Sequence, residues 1–223
     1  WDDLFEIKYS IALMLNEGVK AINFSVGDGE MVVAAQHNVE KALTVLDDVS
    51  ASYEYFLKKC LEAGYDFLII KCAGNENGSN WTTCEISEDH PYGYMSDDAA
   101  IDDTIYDAQY DFLGAIKDKS VKAHILIVGA AENHIDYYTT AYFSNVGERV
   151  DVYAPGLDIL SDLPANSTGI LSGTSMATPI VTGIAALVWG ANPDLNAVQV
   201  ANIIRASTNV SVFDSESVSN IFH

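Results

Sequence analysis

Apolar residues at Leu4, Ile7, Ile11, Leu15 and Val19 recur at three- and four-residue steps, the spacing that lines one face of a helix. Gly18 marks its end, since glycine takes the left-handed conformation that helix termini favour. Ala21-Ile22-Asn23-Phe24-Ser25 then predicts a short strand, stopped by Val26-Gly27-Asp28-Gly29. A helical period returns over residues 32–46 and 53–63, with Gly64 as the stop. Residues 67–72 read as a strand covered on both faces, leading into Ala73-Gly74-Asn75.

From Glu76 to Asp107 the pattern is lost. This stretch is polar and rich in Gly, Ser, Asn and Asp, so it reads as a surface insertion over 76–107 rather than a linker. A short helix is predicted near 110–117, with strands at 124–128 and 150–154. Residues 175–189 are apolar almost all the way round, which predicts a helix buried inside the molecule. A last amphipathic helix is predicted over 196–206. Helices alternating with short apolar strands define an α/β fold, a parallel sheet with helices on both faces. Such sheets hold ligands at the carboxyl ends of their strands. Here those ends are Ser25-Val26-Gly27, Ala73-Gly74-Asn75 and Ala154-Pro155-Gly156.

With 223 residues, 49% of them apolar, the chain suits one large domain with a sizeable core. Its 32 acidic against 11 basic residues leave a net charge of −21. Such a surface repels phosphate backbones and anionic lipid, which argues against nucleic-acid and membrane partners. Asp97, Asp98, Asp102, Asp103 and Asp107 offer oxygen ligands to a hard cation but in no ordered spacing, so solubility is the favoured reading. Cys60, Cys72 and Cys84 form neither a CxxC pattern nor a disulfide framework, and their odd count leaves the compartment open. No run is expected to reach the roughly 18 apolar residues of a membrane span. The chain opens on Trp1 with no basic leader and reads as the later part of a longer polypeptide.

The most informative segment is Gly173-Thr174-Ser175-Met176-Ala177-Thr178-Pro179. Glycine lets the chain turn tightly into a helix. Ser175 then stands at the helix amino end, where unpaired N–H groups and the helix dipole favour negative charge. A nucleophile there gains an anion-stabilising N–H from its own residue. Pro179, four residues on, deprives the Ser175 carbonyl of its helical partner. Taken alone, such a turn is an ordinary N-cap. The small-molecule hydrolase elbow Gly-x-Ser-x-Gly is a poor match, because Ala177 stands where the second glycine belongs.

The segment is not alone. Continued through Ile180-Val181-Thr182-Gly183, it closely resembles the serine motif of the subtilase family. Ala73-Gly74-Asn75-Glu76 resembles that family's oxyanion-asparagine segment, and Ile22-Asn23-Phe24-Ser25-Val26-Gly27 its substrate-lining strand. Phe143-Ser144-Asn145-Val146-Gly147 and Val152-Tyr153-Ala154-Pro155-Gly156 resemble the strand and turn before the serine loop. All these blocks occur in family order.

The resemblance implies a subtilisin-like three-layer fold, present over 1–223 as a partial domain, the carboxyl-side part of a peptidase. It implies that Ser175 is the acylated nucleophile and that Asn75 aims its side-chain amide at the developing oxyanion. Ser25, Val26 and Gly27 would pair with substrate backbone as an added strand. Cys72, Ala73 and Gly74 would form the opposite wall of the pocket for the residue before the scissile bond. Lys71-Cys72 departs from the small apolar residues usual there. A polypeptide substrate, a secreted or cell-surface location and calcium as a candidate cofactor follow from the resemblance alone, and no metal ligand is assigned.

A serine hydroxyl needs a base to take its proton and a third group to orient that base. The family order is aspartate, histidine, serine, with the histidine opening a His-Gly-Thr helix. Neither block is present. His37, His90, His124, His134 and His223 all lack the following glycine and hydroxyl residue. Asp28-Gly29 follows the substrate-lining strand, so these groups read as structural or solvent-facing. Two readings of the gap stand. Both missing groups are encoded upstream of Trp1, or the parent is a non-catalytic binding or structural module of the same fold. Intact Ser175 and Asn75 favour the first. The chain alone is then expected to be inactive or nearly so. Its unpaired edges should associate with the missing amino-terminal part or with another copy.

Overall fold

The computed structural model describes residues 2–77, 105–134, 137–208 and 212–213. Most of the predicted insertion lies outside these residues, with Cys84, His90, Asp97, Asp98, Asp102 and Asp103; so does His223. In chain order the elements are α1 (Asp2–Asn16), β1 (Ala21–Phe24), α2 (Gly29–Gln36), α3 (Glu40–Glu62) and β2 (Leu68–Cys72). A 3-10 turn (Ala108–Tyr110) and α4 (Lys119–Lys122) lead to β3 (Ile125–Asn133), β4 (Tyr138–Thr140) and β5 (Val152–Pro155). The chain continues through β6 (Ile159–Leu163), β7 (Ser167–Leu171), α5 (Thr174–Ala191), α6 (Ala197–Ala206) and β8 (Val212–Phe213).

The expected parallel sheet is present. β1 pairs with β2, β2 with β3 and β3 with β5, all parallel, while β4 runs antiparallel to the far end of β3. Alternation along the strands divides the core in two. Leu68, Ile70, Leu126 and Val128 pack with Val181 and Ala185 of α5 and Val200 and Ile204 of α6. Phe67, Ile69, Ile125 and Ile127 pack with Leu46, Tyr53 and Leu57 of α3 and Ile11 and Leu15 of α1. The result is a three-layer α/β fold.

Three helical expectations are corrected. The period over 32–46 and 53–63 becomes α2 and a single 23-residue α3. The Asp28 carboxylate accepts from Met31 N–H at 3.0 Å and starts α2, and Asn38, at φ 58°, separates it from α3. The polar residues within 47–52 do not stop α3, because Asp47 and Asp48 face outward while Val49, Ser50 and Tyr53 extend its buried stripe. The helix expected near 110–117 is absent: Tyr110 ends the 3-10 turn and residues 111–117 are not helical. The chain instead wraps round extended Asp111, whose Oδ1 accepts from Leu113 N–H at 3.0 Å and whose carbonyl accepts from Ala115 N–H at 2.8 Å.

The third correction concerns α5. Its inner face is buried, but Ile180, Ile184 and Leu187 are 36%, 42% and 74% exposed, since nothing among the described residues covers that side. By length and composition α5 is also apolar enough to cross a bilayer, contrary to the expectation that no run would be. Its contacts with β1, β2, β3 and β5 mark it as a core helix with one bare side.

Candidate active site

Three strand ends meet at the amino terminus of α5. From β5, the Gly156 carbonyl accepts from Gly173 N–H at 2.8 Å. A Cβ on Gly156 would come 2.9 Å from the Gly173 carbonyl oxygen, so this close approach requires glycine. Gly173 itself has no side chain with which to cap the helix. The cap comes from another strand. Asn75, beyond β2, accepts through Oδ1 from Thr174 N–H at 2.8 Å and from the Thr174 hydroxyl at 2.9 Å. Holding the carbonyl end of the side chain against Thr174 fixes the direction of its amide nitrogen. The Thr174 hydroxyl in turn accepts from Gly74 N–H at 3.2 Å.

The third strand end is that of β1. Its neighbour Ser25 donates from Oγ to the Ser175 carbonyl at 3.1 Å, which is the carbonyl that Pro179 leaves without a helical donor. The Ser175 hydroxyl lies 3.4 Å from the Ser25 carbonyl. Ser175, Asn75 and Ser25 are thus brought to one place. By helix geometry the first N–H groups of α5, Ser175 among them, have no acceptor within the helix.

Beside Asn75 opens a cleft of about 520 Å³, lined by residues 26–30 on one side, Asn75 and Glu76 on the other, and Ile7 and Phe112. Val26, Gly27 and Asn75 therefore line one cleft. Cys72 and Ala73 are 3% and 1% exposed and sit behind the wall rather than on its surface. Gly74, with φ 104°, turns the chain so that Asn145 can clamp it. The Asn145 side chain accepts from Glu76 N–H at 3.1 Å and donates to the Ala73 carbonyl at 3.1 Å and to the Glu76 carboxylate.

Several residues at this site were not singled out by sequence reasoning. Glu76 is 8% exposed, and burial raises its carboxyl pKa against the lowering effect of the Asn145 amide. Asp28 is raised too, mainly by burial and in part by neighbouring Glu30 and Asp111, while the Met31 N–H and Lys71 oppose the shift. Beneath Gly27 lies a buried ion pair, Lys71 Nζ to Asp111 Oδ2 at 3.0 Å. Lys71 had registered only as a departure from the expected small residues, and nothing in the sequence points from it to Asp111.

The described histidines lie elsewhere. His37 Nδ1 is 2.9 Å from the Val33 carbonyl, His124 Nδ1 is 2.8 Å from the Ser120 carbonyl, and His134 Nε2 is 3.0 Å from Thr139 Oγ1. Asp107 caps the 3-10 turn by accepting from Gln109 N–H at 2.8 Å. Among the described residues no three carboxylates, histidines or cysteines converge as metal ligands, so the calcium expectation finds no fitting site there.

A three-layer α/β sheet whose strand ends converge on a serine at a helix amino terminus has the architecture of a serine hydrolase. The subtilase family model matches residues 4–222, and the chain belongs to that family of serine proteases. The subtilase-type proteinase RRT12 of Saccharomyces cerevisiae is 49% identical over 81 residues, 34% of this chain and 16% of that protein. The cell wall-associated protease of Bacillus subtilis is 38% identical over 92 residues, 41% of this chain and 10% of that protein. The matched stretches are thus a small part of either relative's length. A solved structure described as the S41 psychrophilic protease superposes with a TM-score of 0.57 at 21% identity, covering 94% of this chain and 57% of that one, which shows the shared fold.

Proposed function

We propose that the protein carrying this chain is a serine endopeptidase that cleaves peptide bonds through an acyl-enzyme on Ser175. One observation carries the reading. The amino end of α5 is locked from two strands at once, by Asn75 on Thr174 and by Ser25 on the Ser175 carbonyl. An ordinary buried helix has no need of such an arrangement around an accessible hydroxyl.

In the proposed reaction Ser175 Oγ attacks the scissile carbonyl while a histidine takes its proton. That histidine and its orienting aspartate come from polypeptide outside this chain. The tetrahedral oxyanion is held by the Ser175 N–H and the Asn75 side-chain amide. The histidine returns the proton to the leaving amine as the C–N bond breaks, and water activated by the same base then releases the acyl group. Residues 25–27 present a strand edge to substrate backbone. The missing amino-terminal part is the expected partner, seated on the bare side of α5. A secreted or cell-surface location belongs to the proposal, in keeping with a relative named for the cell wall. No step is assigned to calcium.

Fluorophosphonate labelling of the full-length protein, with peptide and ester substrates run in parallel, tests this. Labelling and peptide hydrolysis are expected in the full-length protein. Both should be lost in Ser175→Ala and absent or nearly so in this chain alone. A full-length protein that takes no label, or takes it undiminished in Ser175→Ala, refutes the reading in favour of a non-catalytic module.

A further inference from the structure

We propose that Asn145 is a positioning residue for catalysis, holding the turn 73–76 so that the Asn75 side-chain amide stands where the oxyanion develops. The inference rests on the peptidase reading and concerns how its oxyanion site is kept in place. Thr174 fixes the direction of the Asn75 side chain, but the place of its Cα depends on a backbone that has left the sheet. β2 ends at Cys72, and Ala73 N–H, donating to the Val128 carbonyl at 2.9 Å, makes its last ladder bond to β3. Beyond that bond the turn relies on another segment.

That segment is Asn145. Its side chain is fully buried and meets three groups of the turn. It accepts from Glu76 N–H at 3.1 Å and donates to the Ala73 carbonyl at 3.1 Å and to the Glu76 carboxylate. Its own N–H donates to the Gly74 carbonyl at 3.0 Å. Asn75 is thus gripped through the residues on both sides of it. The Glu76 carboxylate held in this way also takes the Asn75 N–H, which carries the grip onto Asn75 itself. Gly74 has φ 104°, and a Cβ there would run into Asn145 Nδ2, so the close approach requires glycine. Asn145 is in turn tied to β3. Ser144 Oγ accepts from Ala130 N–H at 3.0 Å and donates to the Asn145 carbonyl at 3.0 Å, while Asn77 Nδ2 donates to the Ser144 carbonyl at 2.6 Å.

Only a carboxamide meets this set. Glu76 N–H needs an acceptor, while the Ala73 carbonyl and the Glu76 carboxylate each need a donor, and the Asn145 side chain supplies all three. A buried asparagine that merely satisfied backbone groups would contribute to stability and nothing else. Here it sets the position of a donor that works only within about 2.7–3.1 Å of the oxyanion. A displacement of about 1 Å in a reacting site costs about 10² in rate. Losing such a donor outright costs about 10²–10³, which is the ceiling for one that is only displaced.

The test uses the full-length protein, with kcat and KM measured on one peptide substrate and active sites counted by fluorophosphonate labelling carried to completion. Asn145→Asp keeps the shape and the acceptor, loses both donors and sets a second carboxylate against Glu76. Its kcat should fall about 10- to 100-fold with KM changed less than about threefold. In an Asn75→Ala background the same substitution should cost less than about threefold more, because its route to the oxyanion is already gone. Asn145→Asp/Glu76→Gln restores a donor between the two side chains and should recover part of kcat. If Asn145→Asp fails to fold, this double variant is read against Glu76→Gln alone, where a lower kcat at similar KM is expected and an equal kcat overturns the role. Asp151→Asn loosens the Arg149 and Arg205 contacts at the other end of β5 from the site, and should lower the urea midpoint with kcat unchanged. An unchanged kcat in Asn145→Asp, a loss confined to KM, or a loss that adds in full to that of Asn75→Ala overturns the positioning role and leaves the peptidase reading standing. A wild type that neither labels nor cleaves sinks the peptidase reading and this inference with it.

Discussion

Replacing Lys71 by methionine probes the buried pair on which the cleft rests. Lys71 and Asp111 are 0% and 4% exposed, with Nζ and Oδ2 3.0 Å apart. Burial by itself would push the ammonium toward its neutral form. The Asp111 carboxylate outweighs it, with smaller contributions from Cys72 and Glu76, and the pKa ends above the ordinary lysine value. A raised lysine pKa fixes the sign. The pair stabilises the fold fully at any pH below about 10.4, and that stability is lost only as pH climbs through the folded-state value. Lys71→Met keeps much of the stem but strands a carboxylate in the core, which costs about 3–5 kcal/mol. Asp111→Asn strands the ammonium and should cost a similar amount. The double variant Lys71→Met/Asp111→Leu removes both charges and should recover most of the loss, less about 1 kcal/mol for the acceptor taken from Leu113 N–H. Urea unfolding of the full-length protein at neutral pH reads this as midpoint shifts at constant slope. Single variants that lose under about 1 kcal/mol, or a double variant that loses their sum, would refute an energetically coupled pair.

Other perturbations separate the parts of the site. Asn75→Ala should lower turnover by about 10²–10³ with little change in KM, a magnitude measured on subtilisin itself rather than worked from this chain; an unchanged kcat would remove Asn75 from the oxyanion. Glu76→Gln should alter the pH dependence of stability. A raised carboxyl pKa favours the protonated native state, so the wild type loses stability as pH rises from about 4.3 through the native value, and the variant should lack that decline. Parallel stability curves would contradict this. Tyr53 is fully buried, its hydroxyl finds no partner among the described residues, and burial with the Asp111 charge raises its pKa to about 12. Tyr53→Phe should therefore be neutral or up to about 1 kcal/mol more stable by urea unfolding. A loss of that size would reveal an uncounted partner.

How much of this was legible depends on where burial leaves a mark. β2 and β3 were legible because strands covered on both faces are written as continuous apolar runs, and β1 and β5 because short apolar stretches are closed by turn residues. α6 was legible for its apolar face and for Asn196, which forms a capping box with Gln199. The β6–β7 hairpin was not, since Leu160, Ile170 and Leu171 are 69%, 63% and 43% exposed and carry no burial signal. α5 misled in the opposite way, because its apolar outer face is bare rather than buried. At the site, Ser175 and Asn75 were named from motif. The contact between them and the helix, through Thr174, needed coordinates. Lys71 stood out as an anomaly, but its partner lies beyond the insertion, and pairing across such a distance has no local signature.

The proposed division of labour in the active site follows a physical line. Charge stabilisation requires fixed dipoles, and those are here: the amino end of α5 is set by Asn75 from one strand and by Ser25 from another. Ser25 also begins the edge on which substrate backbone is proposed to pair. Proton transfer requires a titrating group near Ser175 Oγ, and the described histidines make their contacts away from it. Helical spacing sets Ser175 on the side of α5 that continues through Pro179, Thr182, Gly183 and Ala186, which is largely exposed among the described residues. A segment that buried this face would arrive beside the serine hydroxyl. On the proposed peptidase reading, the contact that covers this face is also the one that delivers the base, so fluorophosphonate labelling and folding of the whole domain should be lost together.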